Sequence, residues 1–391
     1  MLEVHVNELR SGDVLDRAVL AKNGIVMLEA GTVLSESYIE RLRKLGFARI
    51  ALRSRSGAQP AAAPAGGRTA AHEADKELGL RTAEFDRIKD DPAAVRGASD
   101  SIVRFAEADE TFARLLLPDE DRRRFREELR NRLREIVHTR PLAEELAVIR
   151  QTDPYMFDHS LQVTLLSNVI GLLNGFDPAK MHELTVGALL FDVGMTRLPT
   201  KLIQAKRQLS DAEKATLRKH TTFGYQVLSG IRDVPQQAAR CALLHHERFN
   251  GSGYPHGLKK KEISDLAQIV GLSDVYDALT SKRHHRNPYS NHEAMEYLFA
   301  AGNYDFGMEM IQLFLRHVAA YPVSTAVLLS NGQLGVVESV NGRLAHRPVV
   351  RVIREADGTD AAVPYRIDLS QSSRLVIVRA VPEQSFVPER V

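Results

Sequence analysis

Residues 188–199 read ALLFDVGMTRLP. An apolar run with the pattern of a buried helix meets Asp192 near its end, and an ionised carboxylate is not buried without a charged or hydrogen-bonding partner. Asp192 therefore needs such a partner, and an aromatic ring, Phe191, stands immediately before it. Outward from this point, residues from about 143 to 320 are almost wholly helical in pattern and carry most of the histidines. Polar residues fall in apolar surroundings there at His159 in FDHSLQV, Asp192 in LLFDVG, His220 in LRKHTTFG, His245 and His246 in ALLHHE, and Asp274 in IVGLSDVYDAL. A single histidine on a helix is more often a satisfied core or capping residue than a ligand. As a set they read differently, because imidazoles and carboxylates suit Zn²⁺, Mn²⁺ or Fe²⁺, and helical bundles build metal sites from facing helices. A metal is the expected partner of Asp192.

Composition sets the frame. The chain has 391 residues, 44% hydrophobic and 26% charged, with a formal net charge of +2. That is an ordinary two- or three-domain chain with no strong nucleic-acid footprint. The amino terminus MLEVHVNELRSGD lacks a basic region followed by an apolar core. No apolar run approaches the roughly 18 to 20 residues of a membrane span, so a cytoplasmic location is expected. The single cysteine, Cys241 in ARCALLHHE, excludes an internal disulfide and a multi-cysteine zinc site, and reads as small and buried.

Shifts in composition divide the chain. Residues 1–55 combine strand-like pieces (EVHVNEL, AVLAKNGIVML, ARIALRS) with a helix, SESYIERLRKLG, capped by serine and stopped by glycine. This predicts a small α+β module. Residues 56–75, in SGAQPAAAPAGGRTAAHEA, offer almost nothing to bury and read as a flexible linker. Residues 76–142 read as connecting helices. In DEDRRRFREELRNRLREIV, Phe125, Leu129, Leu133 and Ile136 recur at helical spacing, and interleaved Glu127, Glu128 and Glu135 favour a solvated, ion-paired face over a nucleic-acid surface. Residues 321–391 hold β-branched runs (STAVLLSNGQLGVVESV, PVVRVI, SRLVIVRAV) broken by NG and DG turns, predicting a small antiparallel β module.

The helical stretch 143–320 resembles an HD-GYP domain, the bacterial branch of the HD phosphohydrolases that cleaves cyclic di-GMP. The matching elements stand in family order as DHSLQV, FDVGM, KHTTFGYQVL, HHERFNGSGYPHGL and LSDVYDALTSKRHHR. The resemblance implies a mainly α, helical-bundle HD domain, and both flanking modules resemble ones that accompany such domains. It also implies one or two divalent transition metals (Fe, Mn or Zn). One metal would take His159, residue 191, Asp192 and Asp274; the other would share Asp192 with His220, His245 and His246. For the nucleotide it implies phosphate contacts from Arg283 and Arg286, a guanine contact at Asp153, and a loop at Gly253, Tyr254 and Pro255. That loop is also credited with contacts to diguanylate cyclase domains, and a homodimer is left open. No nucleic-acid partner is expected.

The chain departs from the family on one side of the site. Phe191 replaces the histidine of the His-Asp doublet, Met195 replaces a lysine four residues later, and Tyr155 replaces a glutamate that gives some members a third metal. The second metal set is complete; the first keeps His159, Asp192 and Asp274. Removing even an outer partner of a metal ligand costs about 10 to 100-fold in affinity or activity, and a phenyl ring has no lone pair to donate. Two-metal hydrolysis needs a water held between ions roughly 3.5 to 4 Å apart, so rate should suffer more than binding. The expectation is a cyclic di-GMP signalling protein that binds metal and nucleotide, with Asp192 at its centre and phosphodiesterase activity impaired or absent. The alternative is an active metal-dependent phosphodiesterase that yields the linear dinucleotide or GMP. A helical scaffold that binds nothing would leave the complete second ligand set unexplained.

Overall fold

The computed structural model describes residues 2–10, 12–17, 19–20, 26–28, 34, 39, 42–43, 47–53, 82–112, 115–205, 207–281, 288–340, 347–372 and 374–381. The linker expected at 56–75 lies outside them, as does most of the helix expected at 35–46. The chain divides into two compact units, Met1–Thr69 and Ala70–Val391.

In the first unit, β1 (Leu2–His5) pairs antiparallel with β4 (Arg49–Leu52), placing Val4 opposite Ile50. Strands β2 (Val19–Leu20) and β3 (Val26–Leu28) form a second antiparallel pair. Alternation puts Val4, Ile50 and Leu52 on one face, where they pack with Leu9, Leu15, Leu34 and Leu42.

The second unit is built of helices. After a helix over 82–89 come α1 (Pro92–Glu107), α2 (Asp119–His138), α3 (Arg140–Thr152), α4 (Pro154–Leu173) and α5 (Pro178–Leu189). Helices α6 (Asp211–Arg218), α7 (His220–Ser229), α8 (Gln236–Leu244), α9 (Asp265–Thr280), α10 (Asn291–Ala301) and α11 (Met308–Leu315) follow. Helix α2 buries the expected stripe of Phe125, Leu129, Leu133 and Ile136, with an Arg124 to Glu128 ion pair on an outer face. Its stripe joins one core with Ala98 and Ile102 of α1, Leu146 of α3, Leu161 and Leu165 of α4 and Val186 of α5. The helices ahead of residue 143 thus pack on the helical body instead of merely leading to it.

Helices α4 and α9 carry apolar residues around most of their circumference and are buried on nearly every side. Their starts are set by local chemistry: Asp153 accepts from the Tyr155 and Met156 amides with Pro154 in the first turn, and Ser264 accepts from the Ala267 amide. His159 of α4 and Asp274 and Asp277 of α9 are buried in this interior, so these three must face other protein groups.

At the carboxyl end, β5 (Ala326–Leu329), β6 (Leu334–Ser339), β7 (Val349–Arg354), β8 (Asp360–Asp368) and β9 (Ile377–Ala380) form one antiparallel sheet in the order β8-β7-β6-β5-β9. The expected NG turn joins β5 to β6 and the DG turn joins β7 to β8, with Gly332 at φ +90°. One sheet face, bearing Val327, Leu329, Val337, Val350 and Val352, shares a core with Phe314, Leu315, Val318 and Tyr321 of the helical body. Among the described residues no helix is long and apolar enough to cross a membrane.

Candidate metal centre

The DVGM segment explains how Asp192 is placed. Helix α5 ends at Leu189, and Phe191 and Asp192 lie in the turn that leads into a 3-10 segment, Val193–Arg197. That segment presses on the start of α7 so closely that a Cβ at Gly194 would fall 1.9 Å from the His220 carbonyl oxygen. Only glycine permits this approach, which sets Asp192 beside His220. Asp192 also follows the carbonyl end of α5, where the helix dipole does nothing to stabilise a carboxylate. Its compensation must come from elsewhere.

It comes from three imidazoles. His220 opens α7, while His245 and His246 follow α8, and among the described residues one nitrogen from each of the three rings lies within 4.8 Å of the other two. His220 Nδ1 donates to the Leu217 carbonyl at 2.7 Å and His245 Nδ1 donates to the Cys241 carbonyl at 3.0 Å. A carbonyl can only accept, so in the neutral rings both Nε2 atoms carry lone pairs. Those two Nε2 atoms face each other at 3.3 Å, and Asp192 Oδ1 lies 3.4 Å and 3.6 Å from them. The same Oδ1 is buried and accepts no hydrogen bond. Two lone-pair nitrogens and a carboxylate oxygen converging without a donor repel one another unless a cation joins them. The donor set of three imidazoles and one carboxylate fits a divalent transition metal, and the carbonyl partners fix the ring tautomers as such sites require.

The electrostatics agree. Burial lowers the His220 pKa below its ordinary value, and lowers that of His246 well below it, with the neighbouring histidines, Arg248 and Arg218 adding to the effect at His246. Both rings are thereby kept neutral and able to ligate. Burial would raise the Asp192 pKa, but the positive charge that His245, His220 and His159 carry when protonated outweighs it and lowers the carboxyl to about 2; a bound cation would supply such charge while the rings stay neutral.

His159 and Asp274 occupy a different neighbourhood. His159 on α4 bonds through Nε2 to Asp274 Oδ1 at 3.0 Å and through Nδ1 to Asp277 Oδ2 at 2.7 Å. Burial alone would lower its pKa; the two carboxylates raise it to about 10, so the ring is an imidazolium. Phe191, fully buried, stands between the two groups, edge-on to His159 at 5.7 Å and to His245 at 5.0 Å. Tyr155 stacks on the outer side of His159, with centroids 6.3 Å apart.

The loop residues have structural explanations as well. A Cβ at Gly253 would fall 2.4 Å from three backbone atoms of His246, Glu247 and Arg248, so the loop folds directly over the histidine pair. Tyr254 stacks on His246, with centroids 4.7 Å apart, and the exposed Pro255 follows. Asp153 engages its Oδ1 in capping α4. Met195 packs against the core of the α1 to α5 helices. Arg283 and Arg286 lie outside the described residues.

Two functional-looking residues were not singled out from sequence. Asp277 shares the inner face of α9 with Asp274 at a spacing of three, a signal that DVYDAL did contain. Glu247, buried directly after the histidine pair, accepts from the His256 and Leu258 amides at 2.7 Å and 2.9 Å and ties down the glycine loop.

Comparison with known proteins follows the same division of the chain. Residues 143–308 match the HD domain family, and residues 326–387 match the KOW domain associated with HD domains. The cyclic di-GMP phosphodiesterase PA4108 of Pseudomonas aeruginosa is 31% identical over 229 residues, covering 59% of this chain and 55% of that protein. A cyclic di-GMP phosphodiesterase of Thermotoga maritima is 33% identical over 159 residues, covering 40% of this chain and 43% of that protein. The chain thus spans about half the length of these curated relatives. The solved structure of Bd1817 from Bdellovibrio bacteriovorus, 19% identical, covers 80% of this chain and 97% of its own at a TM-score of 0.36, too loose an overlap to weigh on the site. The helical body over residues 143–308 is thus similar to HD domains, and the sheet that follows it is similar to the KOW domain associated with them.

Proposed function

We propose that this chain binds cyclic di-GMP at a centre holding one divalent transition metal, and that its phosphodiesterase activity is impaired or absent. The observation that carries this reading is the Phe191 ring between His159 and His245, where a second metal would need a ligand. Asp192, His220, His245 and His246 are the residues that would hold the ion. Bound there, a divalent cation would neutralise the converging acceptors and polarise a phosphoryl oxygen. His159 and Asp274, paired to each other, would then serve as a charged wall of the pocket instead of a second complete ligand set. Gly253, Tyr254 and Pro255 would close over the nucleotide, with Asp153, Arg283 and Arg286 as further contacts. The same loop would meet diguanylate cyclase domains, and a cytoplasmic homodimer fits this signalling role.

The names of the curated relatives favour a second reading, an active cyclic di-GMP phosphodiesterase. Hydrolysis would add water across one phosphodiester P–O bond and leave a phosphomonoester and a free hydroxyl. The two readings separate in one experiment that measures binding and turnover of cyclic di-GMP by the same preparation with Mn²⁺ or Fe²⁺ supplied. Tight binding with slow or absent turnover is expected. Sustained turnover would overturn the impaired reading, and no binding would overturn both.

A further inference from the structure

Beyond the histidines lies a stack whose outermost member has no role so far. The Tyr254 ring rests on His246 at 26° between planes, and the guanidinium of Arg218 rests on the same tyrosine with Cζ 4.9 Å from the ring centroid. Arg218 ends α6, two residues before His220, and its side chain is exposed. Among the described residues no carboxylate pairs with it. Other arginines nearby are committed: Arg197 to Glu145, Arg207 to Glu213, and Arg248 to the carbonyls of His245 and Glu247. A guanidinium stacked on a ring uses its face, which leaves its N–H edges free for in-plane hydrogen bonds. Such an edge matches two oxygens of a phosphoryl group in a forked contact.

We propose that Arg218, held in place by Tyr254, is a phosphate-binding residue of this centre and donates a forked pair of hydrogen bonds to a phosphoryl group seated over the histidines. The assignment rests on the nucleotide-binding reading above. It is independent of Arg283 and Arg286. Tyr254 then has two tasks: it covers His246 and orients the guanidinium.

The test uses the full chain as purified, with wild type, R218Q and R218K compared at matched metal content. Two probes are titrated calorimetrically, inorganic phosphate and cyclic di-GMP. Loss of a charged hydrogen bond should weaken both by about tenfold or more in R218Q, and R218K should recover part of that loss. Undiminished binding of phosphate by R218Q overturns the proposal. So does an R218K as weak as R218Q, which would assign the loss to packing. If phosphate binds in an Arg218-dependent way and cyclic di-GMP does not bind, the phosphate site stands and the nucleotide reading fails.

Discussion

Phe191 meets His245 edge to face, ring centroids 5.0 Å apart and planes at 84°. Such pairs contribute about 0.5 to 1.5 kcal/mol beyond burial, so the ring stabilises the histidine it touches while contributing no lone pair. The consequences can be measured.

Metal analysis comes first. Wild type should carry about one transition metal per chain, and His245→Ala or His246→Ala should lose most of it, because each removes a donor from a set of four. Equal metal in wild type and His246→Ala would defeat the assignment of that ring.

The Phe191 wall can be opened. Phe191→His with Met195→Lys should raise metal content toward two per chain and increase turnover of cyclic di-GMP. Without added metal, Phe191→His alone should lower stability by about 1 to 3 kcal/mol, the cost of an unpaired polar group in an apolar slot. Mn²⁺ should then raise the melting temperature of the double variant more than that of wild type. A wild type that already matches the double variant in rate would show that Phe191 blocks nothing.

Stability should depend on pH in a way that reports His159. In metal-free protein its folded pKa, about 10, lies above the ordinary 6.5. The folded state then holds the extra proton between these values, so this contribution is complete below pH 6.5 and is lost as pH rises toward 10. Asp192 acts in the other direction, since its folded pKa of about 2 lies below the ordinary 3.8; its contribution is present above 3.8 and is lost as pH falls toward 2. Melting temperatures of chelated wild type and His159→Gln, taken from pH 6.5 to 10, should converge on the alkaline side. Parallel curves would remove His159 as the source.

A fourth expectation concerns Glu145 of α3. It is 3% exposed, accepts both Nη2 contacts of Arg197 at 2.7 and 2.9 Å, and accepts from Lys89 at 2.5 Å. Arg197 closes the 3-10 segment that follows Asp192, and its guanidinium lies over Phe85. Glu145→Ala should cost about 3 to 5 kcal/mol in denaturant unfolding, because it leaves a buried cation unpaired. Glu338→Ala, which breaks the largely exposed pair with Arg366, should cost under about 1 kcal/mol. Similar losses for the two would mean that burial does not set the strength of the Glu145 cluster.

Much of the architecture was legible in local pattern. The Phe125 to Ile136 stripe and the NG and DG turns each act over a few residues, so the chain declares them wherever it is read. The histidines and Asp192 were recognisable because a polar residue in an apolar helix demands a partner, and Phe191 was recognisable as the misfit among them.

By itself, then, the sequence determined the mainly helical class, the closing antiparallel strands, and the residue types available for a metal. The sharing of those residues between neighbourhoods was decided only in three dimensions. His159 and Asp274 are 115 residues apart, and that pairing, with Asp277 on the other ring nitrogen, depends on how α4 and α9 lie against each other. The facing Nε2 atoms of His220 and His245 depend on backbone carbonyls at Leu217 and Cys241 that fix each ring's tautomer. The stack of Arg218, Tyr254 and His246 joins a helix end to a loop. Side-chain direction and ring tautomer follow from packing and hydrogen bonds between distant segments, and no local pattern encodes them.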